Sequence, residues 1–394
     1  MKLNLADAAR DLESDLVDLR RDLHRHPELG FEEVRTSGIV ADRLRGLGLP
    51  VRTGVGITGV VAELDNGIGP TVALRADMDA LPIQEENEDS YRSVNAGVMH
   101  ACGHDFHTTA LVGAARLLVG ARENGSLPAG RVRFLFQPSE ERTDATGKSG
   151  ATRMIEDGAL EGVGAVVGLH VGGHAPSGIF FVNDGTVMAG SAELTVRIEG
   201  VSAHAAWPER GIDALVLAAQ GVTACQQAVA RRISPTDSGV VTFGTIHGGR
   251  AANIIADEVV LQGTMRYLRE EVRDALLAAV RASFEMLEHH GARVEIQVGT
   301  GYLPVVNEPV VTSIVAGALR GLAGEHAVLP MHPMMAAEDF AFLARSAPGC
   351  FFWLGAAPGE PREHHHPRFD IDESVLPLGA AALASAGIAL LEAS

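Results

Sequence analysis

Thr71-Val72-Ala73-Leu74-Arg75-Ala76-Asp77-Met78-Asp79 is an apolar, β-type run that ends in two carboxylates. A short continuous apolar stretch bounded by polar residues reads as a strand buried on both faces, as in parallel sheets. Two more runs have the same form. Arg131–Gln137 (RVRFLFQ) leads into Glu140 and Glu141, and Ala165–Leu169 (AVVGL) leads into His170. A helical run, Leu111–Val119, lies between the first two, and a helical segment near Gly150–Asp157 between the second two. Strands alternating with helices predict an α/β fold with a mostly parallel, doubly wound sheet. Such sheets bind ligands beyond the carboxyl ends of their strands, so the polar residues closing each run should gather along one edge.

From about Ser191 the order changes to strand (AELTVRI), helix (211–231), two strands (240–246 and 259–265), helix (270–290) and strand (292–298). This β-α-β-β-α-β order is the ferredoxin-like arrangement. Val272, Leu276, Val280, Phe284 and Leu287 recur at helical spacing and support it. After about Thr300 come a helix (310–322), a helix with Glu338 and Asp339 near its start, the apolar strand CFFWLG (350–355) and a final helix from about Val375. The expected organisation is one domain made of 1–186 and 300–394, interrupted by an inserted module at 187–299.

Composition narrows the function classes. At 394 residues, with 46% apolar and 5% aromatic residues, the chain suits a soluble enzyme of about two domains, at roughly 150 residues each. A formal charge of -18 repels phosphate backbones and anionic lipid, which argues against nucleic acid or membrane partners. Three cysteines make no disulfide framework. The acidic N-terminal stretch places Leu12, Leu16, Leu19 and Leu23 on one helical face and has no continuous apolar core. These features read as a cytoplasmic protein.

The densest chemistry lies in Met99-His100-Ala101-Cys102-Gly103-His104-Asp105-Phe106-His107. A thiol, three imidazoles and a carboxylate so close together suit a metal site better than core packing, because His and Asp must find partners before burial becomes cheap. Cys102 and His104 flank a glycine turn and can face one centre. His170 sits at a strand end, and His364, His365 and His366 precede Pro367. Hydrolysing a stable amide at neutral pH needs an activated water, a polarised carbonyl and a proton donor for the leaving amine. Metal ions supply the first two and a nearby carboxylate the third. Glu140 and Glu141, after a proline that stops the ladder, can divide such roles.

Eight blocks in order resemble the signature segments of the M20 metallopeptidase family, specifically its amidohydrolase branch. They are RRDLHRHPELGFEE (20–33), RADMDALPIQE (75–85), MHACGHDFHTTALVGAARLL (99–118), FQPSEE (136–141), GLHV (168–171), GVSAHAAWP (200–208), AEDF (337–340) and HHPRFDIDE (365–373). The resemblance implies that Cys102, His104, Glu141, His170 and His365 ligate metal. It implies Glu140 as general base toward the attacking water, and a supporting carboxylate at Asp77 or Asp79. It implies His204 on a lid as the oxyanion stabiliser, with Asn253 contacting substrate; Arg266 and Arg250 on the same module are candidates for the substrate carboxylate. It further implies divalent metal, two ions per subunit, with zinc or manganese favoured and cobalt or nickel possible. The inserted module becomes a lid and dimerisation domain, and the chain a homodimer or higher homo-oligomer.

The leading expectation is a metal-dependent amidohydrolase that splits small N-acyl amino acids, acetyl or benzoyl conjugates among them, into a carboxylic acid and an amino acid. A dipeptidase or aminoacylase of the same family differs only in what its site accepts. A metal-stabilised binding protein is the alternative from another class. Structural zinc sites are usually closed and rich in Cys, whereas one Cys with several His and carboxylates suits an open, catalytic site.

Overall fold

The computed structural model describes residues 4–393, so residues 1–3 and 394, at the outer ends of the expected segments, lie outside the described residues. The chain divides into two compact units. One takes the chain up to Gly185, Val306–His332 and everything from Asp339 onward; the other takes Thr186–Val305 and Pro333–Glu338. The inserted module was expected to end at 299. Residues 300–305 and the hexapeptide Pro333–Glu338 group with it instead.

The larger unit is built on an eight-stranded sheet in the spatial order Val51–Val55, Gly59–Asp65, Arg131–Gln137, Thr71–Asp77, Ala165–Gly172, Gly349–Gly355, Phe180–Phe181, Val328–Leu329. Four central strands, Arg131–Gln137 to Gly349–Gly355, run parallel, while Val51–Val55 and Gly59–Asp65 pair antiparallel at one edge. Thr71–Asp77, Ala165–Gly172 and Gly349–Gly355 are buried at every position, which is why they read as unbroken apolar runs. The edge strands were not foreseen. Val51–Val55 (VRTGV) is largely solvent-facing and holds a glycine at positive φ, so it shows no core stripe.

Helices cover the sheet. His104–Glu123 packs against Leu376–Glu392, which also meets Pro309–Ala323. The segment Glu373–Glu392 is long and apolar enough, by composition, to cross a membrane. Its apolarity is instead used internally, since Leu376, Ala380, Leu383, Ala386 and Leu390 are buried in the core. The N-terminal stretch forms two helices, Leu5–Arg10 and Glu13–Arg25, with Leu16, Leu19 and Leu23 buried and Leu12 at the break.

The second unit contains a four-stranded antiparallel sheet in the order Arg293–Val298, Gly190–Glu199, Glu258–Tyr267, Gly239–Gly248. Along Gly190–Glu199 burial alternates: Ala192, Leu194, Val196 and Ile198 face the core. Helices Ala214–Arg232 and Glu270–Glu285 pack together over that face through Cys225, Leu276, Val280 and Phe284. Each buried Leu, Val, Ile or Phe contributes about 1.5–3 kcal/mol, so this small module holds a core of its own.

Candidate metal centre

The residues singled out in the larger unit converge because several backbone elements end at the same edge of the sheet. Thr71–Asp77 delivers Asp77 and, two residues on, Asp79; Arg131–Gln137 delivers Glu140 and Glu141; Ala165–Gly172 carries His170. Helix His104–Glu123 begins at Gly103, whose φ is 86°. A Cβ there would run into Val171 Cγ1, so the turn that presents Cys102 and His104 requires glycine. His365 enters from the C-terminal loop, also at positive φ (60°), with its amide donating to Ala101 O at 2.8 Å.

Ligand atoms crowd into a small volume. Those of Cys102, Glu141 and His365 lie within 4.8 Å of one another, as do those of Cys102, His170 and His364, and those of His104, Glu140 and Glu141. Cys102 Sγ is 3.6 Å from His170 Nε2, and Glu141 Oε1 is 3.1 Å from His365 Nε2 and 3.9 Å from His104 Nε2. Among the described residues His104 Nε2 is buried with no hydrogen-bond partner, and buried Glu141 Oε1 has only the His365 Nε2 contact at 3.1 Å. Orphaned polar atoms that deep are costly, and a divalent cation is the group that would satisfy a nitrogen, a carboxylate oxygen and a thiolate together.

Hydrogen bonds on the far side of each ring decide which nitrogen is available. His104 Nδ1 meets Asp79 Oδ1 at 3.1 Å, and His170 Nδ1 donates to Val171 O at 2.9 Å. Both rings therefore turn Nε2 to the centre, the carboxylate or carbonyl behind them fixing the tautomer. His107 differs. Its Nε2 accepts from the Val171 amide at 2.9 Å, so its Nδ1 donates to Asp77 Oδ1 at 2.6 Å, and neither nitrogen is left.

The two aspartates consequently have different neighbours. Asp79 contacts His104 with one oxygen and accepts the Glu141 amide with the other at 3.0 Å, touching two of the expected ligands. Asp77 is held by His107 and by Arg75 Nη1 at 2.8 Å, and its Oδ2 comes only to 3.7 Å from His104 Nε2. The three consecutive histidines also separate: His364 donates Nε2 to Val171 O at 2.9 Å, His365 turns to Glu141, and exposed His366 accepts from the Arg368 amide.

Charge and burial together set the protonation of these side chains. Burial, then Glu141 and Glu140, hold the Cys102 thiol well above its usual range. Burial opposes the charged form of His104, yet Asp77 and Asp79 prevail and hold it up at about 10. Burial also opposes ionisation of Asp77, but Arg75 and His104 outweigh it and the carboxyl falls well below its ordinary value. His170, buried and stacked on Trp353 with ring centroids 4.2 Å apart, is pushed well down and stays neutral. A cation entering here displaces protons from Cys102 and His104, so its binding is pH-dependent.

Glu140 is buried, and its Oε1 accepts the Asp339 amide at 3.3 Å. Sequence reasoning gave Asp339 no role. It joins the turn's surroundings to the sheet by accepting from Gln137, Arg75 and the Ala151 amide at 2.8–3.0 Å. Also unread was a buried network behind the helix start: Arg20 donates to Asp105 at 2.7 Å, and His24 spans Asp105 and Glu85 at 2.9 and 3.2 Å. The sole hint was a row of charged residues inside an otherwise amphipathic helix.

His204, Asn253, Arg250 and Arg266 belong to the second unit. The bridge His204–Ile254 and the bond from the Ala205 amide to Asn253 O (3.0 Å) bring His204 and Asn253 together, with His204 exposed. Arg250 is exposed, 3.6 Å from Asp257. Arg266 lies near the opposite end of strand Glu258–Tyr267, about 27 Å along it from Glu258 at roughly 3.4 Å per residue. The structure thus separates Arg266 from Asn253 along the module's sheet.

Comparison with known proteins agrees with the chemistry. Residues 73–387 match peptidase family M20/M25/M40. The chain is 39% identical over 367 residues to the N-acetyl-L-cysteine deacetylase of Bacillus subtilis (strain 168), covering 93% of this chain and 85% of that protein. It is 38% identical over 385 residues to thermostable carboxypeptidase 2 of Saccharolobus solfataricus, covering 96% of each. Among solved structures it resembles Bacillus subtilis YXEP, a dinuclear metal-binding peptidase from the M20 family, with TM-score 0.85 and 32% identity over 98% of this chain and 99% of that one. The chain belongs to peptidase family M20/M25/M40 and is a metal-dependent amidohydrolase.

Proposed function

We propose that the chain hydrolyses the amide bond of small N-acyl amino acids, with Glu140 as the proton carrier. The observation that carries this reading is the position of Glu140, buried within ligand range of both His104 and Glu141. Cys102, His104, Glu141, His170 and His365 would hold divalent metal, two ions in all, zinc or manganese first. When bound, the metal supplies Lewis-acid polarisation of the carbonyl and lowers the pKa of water. Glu140 takes the proton of the attacking water on its carboxylate and returns it to the departing amine nitrogen. Asp79 keeps His104 in the tautomer that offers Nε2 and restrains the Glu141 backbone. His204 would stabilise the developing oxyanion and Asn253 would bind substrate; Arg266, at the other end of the strand Glu258–Tyr267, is too far from Asn253 to share one small ligand with it.

The deacetylase relative favours an acylated amino acid as substrate, whereas the carboxypeptidase relative favours a second reading in which a peptide is cleaved. Three unpaired cysteines suit a reducing, cytoplasmic setting, and a homodimer joined through the second unit completes the proposal. A panel of N-acetyl and N-benzoyl amino acids beside dipeptides, assayed with zinc or manganese and again after chelation, tests it. Turnover of the acyl amino acids that disappears on chelation supports the reading. Turnover of the dipeptides alone moves the chain to the peptidase reading, and none at all refutes both.

A further inference from the structure

The turn from Pro138 to Arg142 sets where Glu140 and Glu141 point, and its most constrained residue is Ser139. Ser139 has φ 44°, a left-handed conformation that residues with side chains avoid and keep only where their surroundings over-determine it. Those surroundings are specific. Glu33 Oε1 accepts the Ser139 amide at 2.7 Å, Ser139 Oγ donates to Arg142 O at 2.9 Å, and the Gly150 amide donates to Ser139 O at 2.9 Å. Asp79 Oδ2 then takes the Glu141 amide at 3.0 Å. Glu140 lies between those two anchored amides, its carboxylate within 4.8 Å of that of Glu141 and of a His104 ring nitrogen.

Glu33 is the unexpected member of this set. It stands 106 residues before Ser139 and is fully buried, as Ser139 is. Its second oxygen accepts from Thr58 Oγ1, so both oxygens are engaged by donors. Gly30, three residues earlier, backs directly onto the turn: a Cβ there would lie 2.9 Å from Ser139 Cβ and closer still to its hydroxyl. Burial together with the charge of Asp79 makes this an expensive place for a carboxylate, its pKa pushed up to about 7. A group retained at such cost, its hydrogen bonds among the described residues going to the Thr58 hydroxyl and the Ser139 amide, calls for a role through the backbone it binds.

We propose that Glu33 is a positioning residue whose carboxylate pins the Ser139 amide and so keeps Glu140 and Glu141 turned to their separate tasks. The proposal rests on the reading of Glu140 as proton carrier and Glu141 as ligand. It differs from a bracing role in the fold by what it changes: the properties of the folded molecule, beyond the fraction that folds.

The test compares full-length wild type, E33Q and E33A in three measurements on the folded fraction. These are hydrogen exchange of the Ser139 amide in metal-free protein, Co²⁺ affinity by absorption titration, and kcat and KM for an N-acetyl amino acid. E33A is expected to expose the Ser139 amide, weaken Co²⁺ binding about 10–100-fold and lower kcat about 100-fold with KM changed by less than about threefold. E33Q keeps an oxygen for the Ser139 amide while the Thr58 hydroxyl turns to accept, so it should stay within about fivefold of wild type in affinity and kcat. Folded E33A with a protected Ser139 amide and wild-type Co²⁺ affinity overturns the proposal. Should E33A fail to fold, E33D carries the test, because its shorter side chain withdraws the carboxylate from the Ser139 amide while keeping the charge. An exposed Ser139 amide with weakened Co²⁺ binding in E33D supports the proposal, and a protected amide or wild-type binding overturns it. If wild type hydrolyses no acyl amino acid, the functional reading falls while the exchange and Co²⁺ arms still decide the role of Glu33.

Discussion

Asp79→Asn isolates the carboxylate that touches two expected ligands at once. Asp79 faces two donors, His104 Nδ1 at 3.1 Å and the Glu141 amide at 3.0 Å, and an asparagine has one oxygen to offer them. Whichever way the amide turns, an N–H group meets an N–H group, and the negative charge behind His104 disappears. Losing one hydrogen bond to a charged group costs about 1.5–3 kcal/mol. At about 1.4 kcal/mol per tenfold, that corresponds to metal affinity falling about 10–100-fold. The assay is a competition titration of Zn²⁺ against a chelating indicator, run on wild type, D79N and D77N with folding checked by circular dichroism. Asp77 serves as the internal comparison, since its hydrogen bonds go to Arg75 and to His107, which is not free to bind metal, and it meets His104 only by charge at 3.7 Å. D79N should therefore lose more affinity than D77N. An unchanged affinity in D79N, or the larger loss in D77N, would refute the assignment of Asp79 as the residue that orients His104.

Three further outcomes follow from named contacts. Gly103→Ala combines a left-handed backbone, costing about 1–2 kcal/mol, with a methyl group pressed on Val171, costing about 1–3 kcal/mol. Unfolding in urea should show about 2–5 kcal/mol lost, and a loss below about 1 kcal/mol would contradict the close approach. The His24–Glu85 contact gives a stability window in pH. Burial raises the Glu85 carboxyl, but the His24 and Ser93 contacts outweigh it and leave the pKa lowered, so its contribution is complete above 4.5 and lost as pH falls through the folded value. Burial lowers the His24 pKa, yet Asp105 and Glu85 raise it overall, so its contribution is complete below 6.5 and lost as pH rises through the folded value. The Tm advantage of wild type over E85Q should peak between those ordinary values, 4.5 and 6.5, and an advantage that grows above pH 7 would exclude the ion pair. Cys102 should alkylate slowly at neutral pH even in metal-free protein, because burial keeps the thiol protonated; rapid labelling after chelation would show that the buried, neutral thiol is misassigned.

Much of the fold was legible because burial on both faces leaves an unmistakable trace. The runs ending at Asp77, Gln137 and Leu169 could hardly be anything but central strands, and the alternation from Ala192 to Ile198 marked the change to a half-buried sheet. Edge strands left no such trace, since VRTGV meets solvent along most of its length. At the metal cluster, the donor residues were visible as a composition of soft and borderline ligands, but their tautomers were not. Three of those are set by groups distant in sequence, the Val171 amide and carbonyl for His107 and His364 and Asp79 for His104, while His170 uses the carbonyl of its own neighbour Val171. Glu33 was hidden for the same reason, its partner at Ser139 reached only through the tertiary fold.

The central claim is that Glu140 moves the proton while its neighbour Glu141 helps hold the metal. Glu140→Gln, nearly isosteric and still able to accept the Asp339 amide, should lower kcat by about 10²–10⁴-fold, the usual contribution of a general base, with metal content equal to wild type by elemental analysis. Turnover within about fivefold of wild type in a metal-replete E140Q protein, outside that range, would contradict it.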